Sequence, residues 1–416
     1  MSVDVLLTEG VAEKFMRYVR LDTASCEESE GVPSTQGQWE LARMLEDELR
    51  RLGLADVSVD EHCFVIGRLP SNMDQPAPAV GFVAHMDTAP AVPGRGVAPV
   101  VHRKYQGGDI CIGHGVVLRP DESPDLARAI GCDIITSDGS TLLGADDKAG
   151  VAEIMQALVE LITNPSIVRP DVWVAFTPDE EIGRGVERFP YAAFGAKVAY
   201  TLDGTALGEL SEETFNAVNG VATIEGVSSH TGDARGKMVN ALHLAAQLIS
   251  WIPASWRPET TSDREGFIHV NDIQGNVEKV SIKILIRDFD SAMLETRRAA
   301  LVSMLELLEA AHPGSRASFE AAGGYRNMKE GLDTNPQVVG LALRAMEMAG
   351  LTPRTLPIRG GTDGARMTYE GVLTPNLFTG SGDVHSRREW ECVQWMSNAV
   401  DVVVNLVQLW AEQPQK

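Results

Sequence analysis

The chain has 416 residues, of which 44% are hydrophobic and 23% charged, and it carries a formal net charge of −22. Its length suits two domains, and its composition is that of a globular protein. The acidic balance disfavours nucleic acid and anionic membrane as partners, because both bind basic surfaces, but it suits a site for divalent cations.

Five cysteines are widely spaced and form no Cys-x-x-Cys pair: Cys26, Cys63, Cys111, Cys132 and Cys392. The odd number and the spacing argue against a disulfide framework and a thiolate zinc site. The N-terminus lacks the pattern of a signal peptide, and no stretch approaches the roughly 20 apolar residues of a membrane span. We therefore expect a cytoplasmic protein.

The first half of the chain alternates helical and strand-like patterns. In chain order the patterns predict helices at 5–20 and 35–53, short apolar runs at 63–69 and 80–84, a helix at 147–163, and strands at 171–177 and 197–202. Residues 88–140, between the apolar run at 80–84 and the helix at 147–163, are rich in Gly, Pro and Asp and show little periodicity. Such a long irregular segment is either functional or a surface excursion, and the sequence leaves both open.

The pattern changes after about residue 208. Alternating strands at 215–229 and 275–289 and helices at 237–252 and 291–311 indicate a small α+β domain. An α/β pattern returns from about 322, with a helix at 336–349, a strand near 375–378 and a final helix at 387–411. We predict an α/β fold, a mixed sheet covered by helices with an inserted α+β domain: 1–208 and 322–416 form the main domain, and 209–321 the insertion.

Five candidate metal ligands lie at strand ends or in loops: His85, Asp146, Glu181, Asp203 and His385. Four of them follow the predicted strands at 80–84, 172–177, 197–202 and 376–378, and Asp146 precedes the helix at 147–163. Because sites in α/β sheets form at the carboxyl ends of strands, we expect these side chains to converge.

Imidazole and carboxylate ligands without thiolate suit Zn²⁺ and tolerate Mn²⁺ or Co²⁺. Three carboxylates exceed what one Zn²⁺ needs. Two divalent cations with one hydroxide between them would balance the charge, so the sequence favours two metals about 3.5–4 Å apart that clamp a water.

Two further acids are expected to support the chemistry. Asp87 is placed to accept a hydrogen bond from the second ring nitrogen of His85, and Glu180 is the candidate general base. Each motif alone also fits a purely structural alternative: a loop histidine, a helix N-cap at Asp146, or a solvated acidic turn. Their matching places at strand ends make these alternatives jointly improbable.

At these residues the sequence resembles the dinuclear-zinc metallopeptidases, the family that includes glutamate carboxypeptidases and aminoacylases, and in particular its aminotripeptidases. The resemblance runs nearly end to end. It is carried by the stretches Val32–Trp39, His85–Thr88, Tyr105–Asp109, Leu142–Gly150, Phe176–Gly183, Ile286–Asp290, Ile358–Ala365 and Pro375–Gly380.

The resemblance implies two Zn²⁺ per subunit, with Asp146 as the bridging ligand. It assigns His85 and Asp203 to one metal and Glu181 and His385 to the other. It also agrees with Glu180 as the base and Asp87 as the support of His85, and it implies that residues 209–321 form a lid that mediates dimerisation in many members.

Three residues outside the metal set gain roles from the resemblance. His230 would polarise the scissile carbonyl, and Arg287 and Arg359 would bind the C-terminal carboxylate of a short peptide. Two positions depart from the family pattern. Thr231 stands where Pro is usual, which we expect to loosen the loop, and Asp383 adds a charge near the last ligand.

The predicted function is release of the N-terminal residue from tripeptides, with Glu180 as general base and a metal-bridged hydroxide as nucleophile. The alternatives are a dipeptidase or an N-acyl amino acid deacylase with the same chemistry, and a non-catalytic metal-binding dimer. The predicted partners are a short peptide substrate and a second copy of the chain, with no nucleic acid and no membrane.

Overall fold

A computed structural model describes residues 3–414 of the chain. The residues fall into two compact units. The main unit comprises the described residues up to Glu212, Glu330–Leu356, and Thr362 onwards. The second unit comprises Glu213–Lys329 and Pro357–Gly361. The two units are described separately below.

The helices are α1 (Val3–Thr8), α2 (Val11–Tyr18), α3 (Gln36–Arg51), α4 (Ala145–Thr163), α5 (Ala241–Trp251), α6 (Ser291–Ala311), α7 (Met328–Leu332), α8 (Gln337–Met348), α9 (Asp363–Tyr369) and α10 (Val393–Ala411). The strands are β1 (Ala55–Val59), β2 (Val65–Leu69), β3 (Val80–His85), β4 (Val100–His102), β5 (Ile110–Gly113), β6 (Val116–Leu118), β7 (Ile134–Thr136), β8 (Val172–Thr177), β9 (Val198–Gly204), β10 (Glu209–Ser211), β11 (Asn216–Glu225), β12 (Phe267–Gly275), β13 (Lys279–Asp288), β14 (Arg316–Tyr325), β15 (Arg354–Thr355), β16 (Asn376–Phe378), β17 (Ser381–Gly382) and β18 (Trp390–Cys392).

The main unit is built on an eight-stranded mixed sheet in the order β1-β2-β8-β3-β9-β16-β10-β15. Its four central neighbours, β8, β3, β9 and β16, are parallel, so their carboxyl ends share one edge of the sheet. All six residues of β3 are buried, as expected for a strand covered on both faces. The helix α4 packs against β3 and β9. The predicted α/β fold class is confirmed.

The segment 88–140 is more regular than its composition suggests. It contains β4, β5, β6 and β7, and β7 joins β4, β17 and β18 in a second sheet. These strands have three or four residues, too few to produce a readable period.

Two predicted helices have different bounds in the structure. The predicted helix at 5–20 is two helices, α1 and α2, separated at Glu9 and Gly10. The predicted helix at 387–411 begins only at Val393, because Trp390–Cys392 pair with β7 as a strand.

The second unit is a four-stranded antiparallel sheet in the order β12-β13-β11-β14. Alternate residues of β13 are buried against α5 and α6: Val280, Ile282, Ile284 and Ile286. The edge strands β12 and β14 were not predicted. β12 mixes apolar and polar residues without regular alternation, and most residues of β14 are exposed and polar or small. The lid and dimerisation roles of this part of the chain stay predictions.

Across residues 3–414, no helix combines the length and the apolar character that crossing a bilayer would require.

Candidate metal centre

The five predicted ligands lie at the carboxyl edge of the parallel strands. His85 is the last residue of β3, Asp203 lies near the end of β9, and Glu181 lies in a short 3₁₀ turn after β8. His385 lies in the loop between β17 and β18. Asp146 lies in the first turn of α4, which starts after a glycine with a left-handed φ of 83°. The sheet therefore brings together residues from five separate stretches of sequence.

Asp146 lies between the two histidines. One carboxylate oxygen, Oδ1, lies 2.9 Å from Nε2 of His85, and the other, Oδ2, lies 3.1 Å from Nε2 of His385. A carboxylate whose two oxygens face different imidazoles has the arrangement that a bridging ligand needs.

The two remaining carboxylates lie one beside each histidine. Asp203 Oδ1 is 3.5 Å from Nε2 of His85, and Glu181 Oε2 is 2.9 Å from Nε2 of His385. Ligand atoms of His85, Asp146 and Glu181 all lie within 4.8 Å of one another. The geometry thus forms two sets of three side chains that share Asp146. That these side chains hold metal ions stays a prediction.

The residues fit divalent cations on electrostatic grounds. Oε1 of Glu181 is buried and has no hydrogen-bond partner among the described residues. Burial, reinforced by the charge of Asp146, raises the pKa of Glu181 to about 7, and burial raises the pKa of Asp203 to about 6. Hydrogen bonds to Asp146 and Glu181 raise the pKa of His385 to about 11. Because burial disfavours their ionised form, these carboxylates need positive charge nearby to stay deprotonated. Nitrogen and oxygen donors without sulfur suit Zn²⁺, Mn²⁺ or Co²⁺.

Asp87 supports both sides of this group and is fully buried. Its carboxylate accepts the backbone N–H groups of Glu180 at 3.0 Å and Glu181 at 3.1 Å. Nδ1 of His85 lies 3.3 Å from the same carboxylate and 3.1 Å from the backbone carbonyl of Asp87. The expected contact with His85 is present, and the contact with the Glu180 turn was not anticipated.

Glu180 follows β8 and is partly buried. Removal from water, with Asp203 nearby, raises the pKa of the Glu180 carboxyl well above its usual value. A raised pKa suits a carboxylate that must take up a proton and release it during a reaction.

Sequence reasoning missed three buried acids near this group. Asp147 accepts the N–H groups of His85 at 3.0 Å and Gly150 at 3.2 Å. A carboxylate oxygen of Asp147 also lies within 4.8 Å of ligand atoms of His85 and Asp203. Because both of its oxygens already accept N–H groups, we assign Asp147 to support of His85 rather than to metal binding.

The other two missed acids are Asp363, which accepts the hydroxyl of Thr177 at 2.8 Å, and Glu389, which accepts three backbone N–H groups around Asp146. Burial raises the pKa of each to about 7. In the sequence, Asp363 stands in a glycine-rich turn and Glu389 in a run of charged residues, so neither signals burial.

The second unit contains the other predicted site residues. His230 is exposed, and its Nδ1 accepts the backbone N–H of Gly232 at 3.2 Å. Arg287 lies in β13, donates to the carbonyl of Ile286 at 3.0 Å and lies over the ring of Tyr325.

Arg359 is held within the second unit by several contacts. Its guanidinium donates to the carbonyls of Asp263 at 2.7 Å and Glu265 at 3.0 Å and to the hydroxyl of Thr261 at 3.0 Å. It also lies 5.2 Å from the ring centre of Phe215. The structure therefore shows a loop-fixing role for Arg359 that the sequence did not reveal, and substrate binding by Arg287 and Arg359 stays a prediction.

Comparisons with known proteins agree with the fold. The chain is 45% identical over 408 residues to Peptidase T of Geobacillus thermodenitrificans (strain NG80-2), covering 98% of this chain and 99% of the relative. The crystal structure of aminopeptidase PepT from Bacillus cereus ATCC 10987 matches with a TM-score of 0.76 and 24% identity, covering 97% of this chain and 98% of that one. A dinuclear metal binding peptidase of the M20 family from Bacillus subtilis, YXEP, matches with a TM-score of 0.66 and 12% identity over 99% of both chains. The model of peptidase family M20/M25/M40 matches residues 141–409, which is more than half of the chain, and the chain therefore belongs to that family.

Proposed function

We propose that the chain is a zinc-dependent aminopeptidase that releases the N-terminal residue from tripeptides. Membership of a peptidase family makes it a hydrolase of peptide bonds. The finer activity is supported by the identity of 45% to a Peptidase T along 98% of the chain. The structural observation that carries the proposal is the position of Asp146, whose two oxygens face His85 and His385.

Two Zn²⁺ ions fit the five side chains best, although Mn²⁺ and Co²⁺ have compatible ligand preferences. His85 and Asp203 would hold one ion, Glu181 and His385 the other, and Asp146 both. When bound, the ions would lower the pKa of a water and polarise the scissile carbonyl.

Glu180 carries out the proton transfer. It takes a proton from the attacking water as the C–O bond forms, and it delivers that proton to the amine that leaves as the C–N bond breaks. Asp87 fixes the backbone of the turn that presents Glu180. The Glu180 carboxylate is therefore already oriented for proton transfer before the substrate binds.

His230 is proposed to donate a hydrogen bond to the oxyanion, a contribution of about 3–4 kcal/mol in comparable sites. Arg287 and Arg359 are proposed to bind the C-terminal carboxylate of the peptide, which would set the length of the substrate. We also propose self-association through residues 209–321 and a cytoplasmic location. The five cysteines are all free, which is usual where thiols stay reduced.

The test is hydrolysis of an unblocked tripeptide beside the matching dipeptide and the N-acetylated tripeptide, by protein reconstituted with Zn²⁺. Fast release of the N-terminal residue from the free tripeptide alone supports the proposal. Preference for the dipeptide or the acetylated peptide would move the function to a dipeptidase or a deacylase. The matched variant is Glu180→Ala, which should keep the metal and lose turnover. Undiminished turnover in that variant would remove Glu180 from the mechanism.

A further inference from the structure

We infer that Glu389 is a positioning residue that fixes the backbone of Asp146, and that the 88–140 segment serves the metal centre by holding Glu389 in place. The inference rests on the metal centre of the proposed function and deepens it. It assigns a role to a buried acid outside the five candidate ligands, and to a segment whose purpose the sequence left open.

The carboxylate of Glu389 is 1% exposed and accepts three hydrogen bonds. One oxygen, Oε2, accepts the backbone N–H groups of Leu143 at 2.8 Å and Gly144 at 2.7 Å. The other, Oε1, accepts the backbone N–H of Asp146 at 3.1 Å. One side chain thus satisfies three donors within four consecutive residues, which would otherwise be buried without partners.

The backbone around Asp146 cannot be held by regular helical hydrogen bonds. Asp146 has φ −85° and ψ 105°, and Asp147 has φ −124° and ψ 36°, both outside the helical range. The start of α4 therefore needs an acceptor from elsewhere in the fold. Glu389 is that acceptor, and its contact to the N–H of Asp146 sets where the Asp146 carboxylate points.

Glu389 also links two ligands through a single stretch of chain. His385 precedes it by four residues and contacts Oδ2 of Asp146 at 3.1 Å. Residues 385–389 therefore contact Asp146 twice, at its side chain through His385 and at its backbone through Glu389. Displacement of this stretch would move both ligands together.

Residues of the 88–140 segment hold Glu389 on both sides. Arg388, the residue before it, pairs with Glu122. Trp390, the residue after it, is fully buried and donates from Nε1 to the hydroxyl of Ser123 at 3.1 Å. Trp390 also pairs with Thr136 of β7 in the second sheet. The segment thus provides the support against which Glu389 is positioned.

A matched control lies two residues further along the chain, in β18. Glu391 is also fully buried, but its Oε1 accepts only the N–H of the adjacent Cys392, at 2.9 Å. Replacing either glutamate by glutamine removes a buried carboxylate, and only the change at position 389 alters the contacts to Asp146. An amide at 389 places its NH₂ group either against the N–H of Asp146 or against the N–H groups of Leu143 and Gly144.

The test is zinc binding to metal-stripped protein, measured by titration against a chelator of known affinity, for the wild type, Glu389→Gln and Glu391→Gln. We expect Glu389→Gln to bind Zn²⁺ about 10–100-fold more weakly, the usual effect of removing support from a metal ligand. Glu391→Gln should stay close to wild type. Circular dichroism and thermal unfolding of the metal-stripped proteins show whether both variants fold.

Trp390→Phe tests the role of the 88–140 segment, because it keeps an aromatic ring at this position and removes the donor to Ser123. We expect a smaller loss of zinc affinity, at most about tenfold, the effect of one hydrogen bond. Zinc affinity equal to wild type in folded Glu389→Gln would overturn the positioning role. Equal losses in Glu389→Gln and Glu391→Gln would also overturn it, since they would indicate a general effect on the fold.

The binding test separates this inference from the proposed function. If the wild type binds two Zn²⁺ and cleaves another class of peptide, the substrate assignment fails and the Glu389 result still decides the positioning role. If the wild type binds no Zn²⁺, the metal centre and the inference both fail.

Discussion

The carboxylate of Asp87 accepts the backbone N–H of Glu180 at 3.0 Å, so the residue that supports a histidine ligand also supports the candidate base. Oδ2 of the same carboxylate accepts the N–H of Glu181 at 3.1 Å. One buried side chain therefore contacts the candidate ligand His85 and the turn that carries both the candidate base Glu180 and the candidate ligand Glu181. The positions of the candidate base Glu180 and of the candidate ligands His85 and Glu181 therefore depend on each other through Asp87.

The first prediction concerns Asp87→Asn. An asparagine retains one acceptor oxygen and turns an NH₂ group towards an N–H of Glu180 or Glu181, which destabilises the turn. We expect kcat for the tripeptide and Zn²⁺ affinity each to fall by about 10–100-fold. Steady-state kinetics and chelator competition measure the two effects.

Asp60 provides a control for that substitution. Its Oδ1 also accepts two backbone N–H groups, those of His62 and Phe64, both at 2.9 Å, in the turn between β1 and β2. Asp60→Asn should disturb that turn and leave kcat and zinc affinity unchanged. If the two variants lost activity equally, the effect of Asp87 would be on stability alone.

The second prediction concerns the stability of the metal-stripped protein. Burial raises the pKa of Glu181 and Glu389 to about 7 and that of Asp203 to about 6. In this range the folded protein retains protons that the unfolded chain has released, so the free energy of unfolding falls as pH rises. The pKa of His385, raised to about 11 by its carboxylate partners, acts in the same direction above its usual value of 6.5.

We therefore expect the urea midpoint of stripped protein to fall between about pH 5 and about pH 8. Zinc-loaded protein should lack this fall, because metal binding requires deprotonated ligands and strengthens as pH rises. The difference between loaded and stripped protein should widen with pH. A stripped protein that gains stability over this range would contradict the raised pKa values.

Three of the candidate ligands, His85, Glu181 and Asp203, could be selected from the sequence because each follows a strong local signal. The runs that became β3, β8 and β9 are apolar and non-alternating, which is typical of buried parallel strands, and the polar residues after them stand out. The sequence could not show the contact between Asp146 and His385, which are 239 residues apart, because only the sheet order brings them together.

Glu389 was not predictable for a different reason. Glu389 stands in the run Ser386-Arg387-Arg388-Glu389, where a glutamate is expected to face solvent. Its burial depends on β18 pairing with β7, a contact across more than 250 residues between strands of three residues each. Neither strand is long enough to be recognised, so the environment of Glu389 follows from tertiary structure alone.

The third prediction concerns His230, whose catalytic role rests on resemblance. Replacement by alanine removes the proposed oxyanion donor, and we expect kcat to fall by about 10²–10³-fold with zinc affinity unchanged. His243, an exposed histidine in α5 of the same unit, is the matched control, and His243→Ala should have wild-type kinetics. A normal kcat in His230→Ala would leave the residue as a surface histidine that accepts the N–H of Gly232.

The fourth prediction separates the two arginines. The guanidinium of Arg287 donates to the neighbouring Ile286 carbonyl, whereas that of Arg359 is bound by the 261–265 loop. If Arg287 binds the peptide carboxylate, Arg287→Ala should raise KM for a free tripeptide by about 10–100-fold, the effect of losing a charge-assisted hydrogen bond, and change kcat little. The C-terminal amide of the same tripeptide should be cleaved equally by wild type and variant.

Arg359→Lys should behave differently from Arg287→Ala. Lysine lacks the planar fork that reaches two carbonyls and a hydroxyl at once, and it stacks less well on Phe215, so we expect the thermal midpoint of the protein to fall. Arg298→Ala, at a partly exposed position in α6, serves as the control for the loss of charge in Arg287→Ala. A KM increase for the amide as large as that for the free peptide would show that Arg287 does not recognise the carboxylate. An unchanged thermal midpoint in Arg359→Lys would mean that the contacts of Arg359 to the 261–265 loop do not stabilise the second unit.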